Sequence, residues 1–304
     1  MKSDREELRA EIEALKKERD AIILAHNYQR PEVQDIADYT GDSLELSRTA
    51  AQTNAKVILF CGVQFMAETA AILSPDKTVL LPVKEAGCPL ADMATPEQLR
   101  RAREEHPDAV IVSYVNTTAA VKAESDLCCT SANAVQVVNS LKAGEIIFVP
   151  DRNLGRYVAR NSDKEIILWQ GWCPTHITLY AADVLKPRRE YPHACFMAHP
   201  ECFPEVLELA DEIASTSGML AYASHSEADQ FIVGTEMGLI HGLQKQNPGR
   251  EFYSPTEYLI CPTMKMTTLE RVRLALETME SVVTVPEEIR VKARKALDAM
   301  LAVS

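Results

Sequence analysis

The sequence predicts an α/β protein of three similar α/β units with parallel sheets arranged around a pseudo-threefold axis, with the active site at the centre. Three observations predict it. Short apolar runs alternate with helix-length segments, which is the pattern of parallel strands joined by crossover helices. The same order of runs recurs three times within 304 residues. Each recurrence then reaches a Cys-Pro dipeptide, at Cys88-Pro89, Cys173-Pro174 and Cys261-Pro262, so that the cysteines stand 85 and 88 residues apart.

Residues 2–20 are mostly charged and predict an amphipathic surface helix with Leu8, Ile12 and Leu15 inward. The first apolar run of each unit covers 21–25, 109–115 and 195–198. The second covers 57–62, 146–149 and 231–234; the third covers 78–83, 165–169 and a weaker 251–254. Helices are expected at Pro96–Glu105 and Ala181–Glu190, and each is followed by a proline, Pro107 or Pro192, 19 residues past its cysteine. The units are expected at 1–87, 88–172 and 173–260. A helical segment, 261–304, would close the ring against the first unit. Three units that stop at three form a closed triangle, and strand ends with their loops face inward where open sheets bind ligands.

Hydrophobic residues make up 46% and charged residues 25%, an ordinary globular balance. The formal net charge is −12 and the pI about 5.2. That argues against nucleic acid or an anionic membrane as partner, since both require a basic face. No apolar run approaches the roughly 18 residues of a membrane span, and no signal peptide is evident, so a cytoplasmic protein is expected. Eight cysteines there remain reduced. No CxxC pair occurs, which disfavours a zinc ribbon or a local ferredoxin motif.

An acidic protein that takes an anionic substrate must attract it locally. Ser43, Ser131 and Thr216 recur at 88 and 85 residues, each before or at the start of a helical pattern. Singly each reads as an N-cap; together they read as three helix N-termini aimed at one axis, where anions bind. Cys88, Cys173 and Cys261 read as metal ligands. If they converge, three symmetric thiolates suit a [4Fe-4S] cube and leave one iron open, while a single zinc on three thiolates is the alternative. Cys61, Cys195 and the Cys128-Cys129 pair read as small buried hydrophobes, and Cys202 is left undecided.

Polar pairs two residues apart follow the first strand of each unit: His26 and Tyr28, Tyr114 and Asn116, His199 and Glu201. Tyr114 and Asn116 could donate hydrogen bonds to a carboxylate. Glu201 reads as a general base whose pKa is raised by enclosure. Lys265 is left outside the site as an ordinary surface lysine. Gly234, Gly238 and Gly242 read as a stripe for close helix packing. No GxGxxG and no GxxxxGK[ST] occurs, so neither nucleotide fingerprint is supported.

The chain from about Ala21 to Leu276 resembles the quinolinate synthase family. The marks are Ala25-His26-Asn27-Tyr28-Gln29, Gly41-Asp42-Ser43-Leu44, Phe65-Met66-Ala67-Glu68, Tyr114-Val115-Asn116, Thr130-Ser131-Ala132-Asn133-Ala134, Pro150-Asp151-Arg152-Asn153-Leu154 and His199-Pro200-Glu201-Cys202, with the three spaced cysteines. The resemblance implies a transferase that joins iminoaspartate and dihydroxyacetone phosphate during NAD biosynthesis, with an aspartate-oxidising enzyme as transient supplier. It implies Cys88, Cys173 and Cys261 as ligands of a [4Fe-4S] cluster whose open iron acts as a Lewis acid. It further implies that His26 binds substrate and that Tyr28 serves as acid or base, with His199 and Glu201 in the catalytic set. Some relatives carry CxxCxxC near the C-terminus; Cys261-Pro262-Thr263-Met264 lacks it, so no disulfide switch is expected from that motif. Rival readings are another cluster hydro-lyase acting on a hydroxy acid, and a non-catalytic iron or redox sensor.

Overall fold

The alternation of strands and helices is realised as three four-stranded parallel sheets, in a computed structural model that describes residues 2–303. After α1 (Lys2–Glu18), the first unit runs β1 (Ala21–His26), α2 (Pro31–Gln34), β2 (Tyr39–Gly41), α3 (Ser43–Gln52), β3 (Val57–Cys61), α4 (Gln64–Leu73) and β4 (Thr78–Leu80). The second follows as α5 (Pro96–Glu105), β5 (Val110–Tyr114), α6 (Ala119–Ala123), β6 (Leu127–Cys129), α7 (Ala134–Ser140), β7 (Glu145–Val149), α8 (Arg152–Arg160) and β8 (Glu165–Leu168). The third follows as α9 (Ala181–Glu190), β9 (Cys195–Ala198), α10 (Pro204–Leu207), β10 (Glu212–Ile213), α11 (Thr216–His225), β11 (Gln230–Gly234), α12 (Leu239–Gln246) and β12 (Glu251–Tyr253). Then come α13 (Leu269–Thr278) and α14 (Glu287–Val303).

The strand orders are β2-β1-β3-β4, β6-β5-β7-β8 and β10-β9-β11-β12, so the first strand of every unit lies inside its sheet. One side-chain contact repeats with the strands. Asp38, Asp126 and Asp211 each accept the amide of a first-strand residue 15 positions earlier, Ile23, Ile111 and Phe196, at 2.8 Å. The carboxylate pairs an inner-strand N–H just where the second strand has not yet begun to do so.

Alternation along the strands separates two kinds of core. Ile22 and Leu24, Val112 and Tyr114, and Met197 join one apolar cluster shared by all three units. Their neighbours Ile23 and Ala25, Ile111, and Phe196 and Ala198 enter three separate clusters, one for each unit. The next residues on the shared face are His26 and His199, which follow Leu24 and Met197 by two, while Tyr114 already ends its own strand there. Pleating therefore delivers these three side chains to the side on which the units meet.

The C-terminal helices depart from expectation. Helix α13 does lie on α1 and β3 of the first unit, but α14 packs chiefly on α6 and β6 of the second and only secondarily on α4. Helix α6 is a short alanine-rich segment, and the buried face Ala293, Ala296, Leu297 and Met300 lies close against it. The glycine reading changes too. Gly234 ends β11, and Gly238 precedes α12, where a Cβ would meet Lys265 Nζ, Glu236 Oε2 and the Tyr28 carbonyl at 2.6 to 2.7 Å. That glycine makes room for a buried ion pair.

Candidate active site

All twelve residues singled out above for chemistry line one cavity of about 250 Å³: His26, Tyr28, Ser43, Cys88, Tyr114, Asn116, Ser131, Cys173, His199, Glu201, Thr216 and Cys261. Among the described residues, no lysine or arginine lines it. An anion there must be held by neutral donors and helix starts.

Two helix starts are present, with a correction to the caps. The cap of α3 is Asp42, which accepts from the Leu44 and Glu45 amides, and the cap of α11 is Ser215, which accepts from the Gly218 amide. Ser43 and Thr216 are the first helical residues, so capping does not consume their hydroxyls. Ser131 lies ahead of α7, whose cap position is Asn133. Its Oγ is 3.1 Å from His199 Nε2, and Thr216 Oγ1 accepts from Asn27 Nδ2 at 2.9 Å.

A hydrogen-bonded chain runs through the centre. Tyr28 Oη is 2.5 Å from Thr235 Oγ1, which is 2.9 Å from His176 Nε2. His176 Nδ1 is 2.9 Å from Glu201 Oε2 and 3.2 Å from Cys173 Sγ. His199 Nδ1 reaches the same carboxylate oxygen at 3.2 Å, and its ring stacks on His176 with centroids 4.6 Å apart. The assignment that satisfies the His176 contacts puts its proton on Nδ1, facing Glu201, and makes Nε2 the acceptor from Thr235. Tyr28 then donates to Thr235.

Electrostatics correct the expectation for Glu201. Burial acts to raise its pKa, but the charge and hydrogen bond of His176, with the hydrogen bond and charge of His199, outweigh burial and hold the carboxyl below the ordinary range. Its Oε1 is buried without a partner among the described residues, as is Asn116 Oδ1, so both are acceptors available to a bound molecule. His26 differs. Burial first, then repulsion from His199 and Lys265, lowers its pKa to about 3. His26 Nδ1 accepts the Tyr28 amide at 3.1 Å, which leaves a neutral ring with its N–H on Nε2. Burial and the nearby Glu201 charge raise the phenols of Tyr28 and Tyr114 well above their usual value, so both are donors at neutral pH.

Cys88, Cys173 and Cys261 are free, half-buried and on the same cavity, one from the loop after the fourth strand of each unit. Burial pushes the Cys88 thiol up to about 12 and Cys173 well above its usual value. A thiolate there requires a cation, and a metal supplies one. The donor set of three thiols therefore fits a thiophilic metal group. A second set, Cys173, His176 and Glu201, has ligand atoms all within 4.8 Å of one another and could hold a single ion. Its nitrogen and one carboxylate oxygen are already bonded to each other. Of the remaining cysteines, Cys61, Cys128, Cys129 and Cys202 are fully buried and Cys195 is half-buried.

Several participants are absent from the sequence reading. His176 stands three residues after Cys173 where the other units have Ala91 and Met264, so a polar residue in an otherwise apolar slot was the available signal. Thr235 and Glu236 carry no comparable mark. Lys265 does not line the cavity, yet it is no surface lysine: Nζ is 2.9 Å from Glu236 and donates to the Tyr28 carbonyl at 2.5 Å.

The Quinolinate synthetase A protein family model matches residues 10–302. Quinolinate synthase 1 of Methanosarcina acetivorans is 60% identical over 292 residues, 96% of each chain. Quinolinate synthase of Methanosarcina barkeri is 59% identical over 98% of each chain, and that of Geobacter metallireducens 57% over 97% of each. With the fold, the shared cavity and these full-length matches in agreement, the chain belongs to the quinolinate synthetase A family.

Proposed function

We propose that the chain condenses iminoaspartate with dihydroxyacetone phosphate to quinolinate, releasing phosphate and water, as a cytoplasmic transferase of NAD biosynthesis. Cys88, Cys173 and Cys261 would hold a [4Fe-4S] cluster. The observation that carries this reading is the meeting of three thiols, one from each unit, on a cavity that also holds two helix starts and six ionisable or hydrogen-bonding strand-end groups. When bound, a cluster on three thiolates supplies an open iron as Lewis acid toward oxygen groups and toward loss of water.

The side chains divide the remaining work. Ser43 and Thr216, with the free amides of α3 and α11, receive phosphate or carboxylate oxygens. Neutral His26 donates from Nε2 without adding charge, and Tyr114 donates from its phenol. Asn116 Oδ1 and Glu201 Oε1 accept from N–H or O–H groups of the substrates. Glu201, held ionised, orients His176 and His199. Protons then pass along Tyr28, Thr235 and His176, all within hydrogen-bonding reach.

The test is an anaerobic assay with a source of iminoaspartate and with dihydroxyacetone phosphate. Quinolinate formation that requires both is expected. Dehydration of a small hydroxy acid with no use of the triose would favour the hydro-lyase alternative.

A further inference from the structure

Two buried carboxylates behind the cysteine loops have no part in the chemistry above. The third strands end in register, with Cys61, Val149 and Gly234 paired to Ala25, Ser113 and Ala198. Two residues past those ends stand Val63, Asp151 and Glu236. Asp151 is 0% exposed; its Oδ1 caps α8 by accepting the Asn153 and Leu154 amides at 2.8 Å, while Oδ2 accepts the Cys173 amide at 3.0 Å. Glu236 is also 0% exposed, and its Oε1 accepts the Cys261 amide at 3.2 Å. Its Oε2 accepts the Gly238 amide at 2.7 Å and Lys265 Nζ at 2.9 Å.

The surroundings of the two acids differ, one a helix cap and the other half of an ion pair, yet both reach the amide of a cysteine. A cap needs only one carboxylate oxygen, and an ion pair needs no cysteine. Burying a carboxylate is costly unless each contact is made, so the common contact marks the common purpose. Val63 offers no side-chain acceptor, and among the described residues the Cys88 loop is held through backbone bonds, Gln64 N to Ala86 O at 2.8 Å and Ala91 N to Cys88 O at 2.9 Å.

We propose that Asp151 and Glu236 are positioning residues that fix Cys173 and Cys261 for the metal cluster, and that Cys88, which has no such tether, is the ligand that yields first. The inference rests on the reading that the three cysteines hold a cluster. Partners behind a ligand set its orientation, and their removal typically weakens metal binding on the order of tenfold or more.

The experiment uses the anaerobically purified holoenzyme. Asp151→Ser keeps a capping hydroxyl but is too short to hold the Cys173 amide, Glu236→Ser is likewise too short to hold the Cys261 amide, and Thr95→Ala removes the cap of α5 as a control of helix stability. Loss of the cluster's visible absorption to a ferrous chelator is followed, with the paramagnetic resonance spectrum of the reduced cluster and the order in which iodoacetamide labels the released cysteines. About tenfold faster loss and altered resonance in the first two variants are expected, with neither in the control. In the wild type, Cys88 is expected to be labelled first. Wild-type rates and unchanged resonance in both variants, or labelling of Cys173 or Cys261 ahead of Cys88, would overturn the proposal. The labelling order needs no variant, so a poorly folding substitution leaves it decisive. A wild type lacking iron and sulfide would instead remove the cluster reading itself, and this proposal with it.

Discussion

The first and third units place a histidine at the same strand end, His26 and His199; in both the ring Nδ1 faces the amide two residues on, at 3.1 and 3.4 Å, and burial lowers the pKa, so the rings differ in their side-chain partners. His26 is buried, lies near His199 and Lys265, which add repulsion, and stays neutral. His199 faces Glu201, which lies two residues later where the first unit has Tyr28. Both sheets have the same strand order, so backbone position is common and the difference lies in one substitution. Repetition supplies three equivalent places around a cavity; the side-chain partner at each place is set by which polar residue occupies the position two beyond.

Glu201→Gln breaks the third unit's half of this contrast most severely. It should lower kcat on the order of 10³-fold, because two imidazoles lose the carboxylate that orients them, while the cluster spectrum is retained. Near-normal turnover would remove Glu201 from the machinery. Tyr28→Phe tests the first unit at the matching position, and a loss of about 10²-fold in kcat with little change in KM is expected if the phenol passes protons. A rise in KM alone would make it a binding group.

Ser131→Ala compares a cavity hydroxyl with a capping one. It should raise a Michaelis constant several-fold, with melting unchanged, whereas Ser215→Ala should cost about 1 kcal/mol through loss of the α11 cap. Unchanged KM and kcat in Ser131→Ala would refute a substrate role for that hydroxyl.

The smallest effect lies on the outside, where first and third units are joined by Asp35 with His241 and Lys245 at 3.0 and 2.8 Å. Burial opposes ionisation of Asp35, but the hydrogen bonds of Lys245 and His241 exceed it, and the folded-state pKa is lowered. A lowered pKa contributes stability that is present above the unfolded value and lost as pH falls through the folded one. Asp35→Asn should therefore cost about 0.5 kcal/mol at neutral pH, and the gap from wild type should close in acid. A gap that persists at low pH would exclude the ion pair as its source.

The sequence made the strands, their threefold register and the cavity-lining residues legible, because hydrophobic period and the spacing of Cys88, Cys173 and Cys261 are properties of the chain itself. It did not reveal what those residues lean on. Thr235, Glu236, Asp151 and Lys265 act through contacts made only when separate segments pack, and as single letters they look like ordinary strand-end or surface residues. The expected raised pKa of Glu201 failed for the same reason: burial was foreseeable, but the two imidazoles that overcome it come from His176 and His199 folded onto one oxygen. Ser43 and Thr216 were placed at helix starts to within one residue, and the caps fell to the preceding Asp42 and Ser215.

Whether three thiols hold one cluster is read from iron and acid-labile sulfide in anaerobically purified wild type, Cys88→Ser, Cys261→Ser and His176→Ala proteins. Equal iron and sulfide are expected in the wild type, with loss of both in each cysteine variant. A single sulfide-free metal that survives Cys88→Ser and Cys261→Ser but disappears in His176→Ala would contradict that expectation and locate the metal on Cys173, His176 and Glu201 instead.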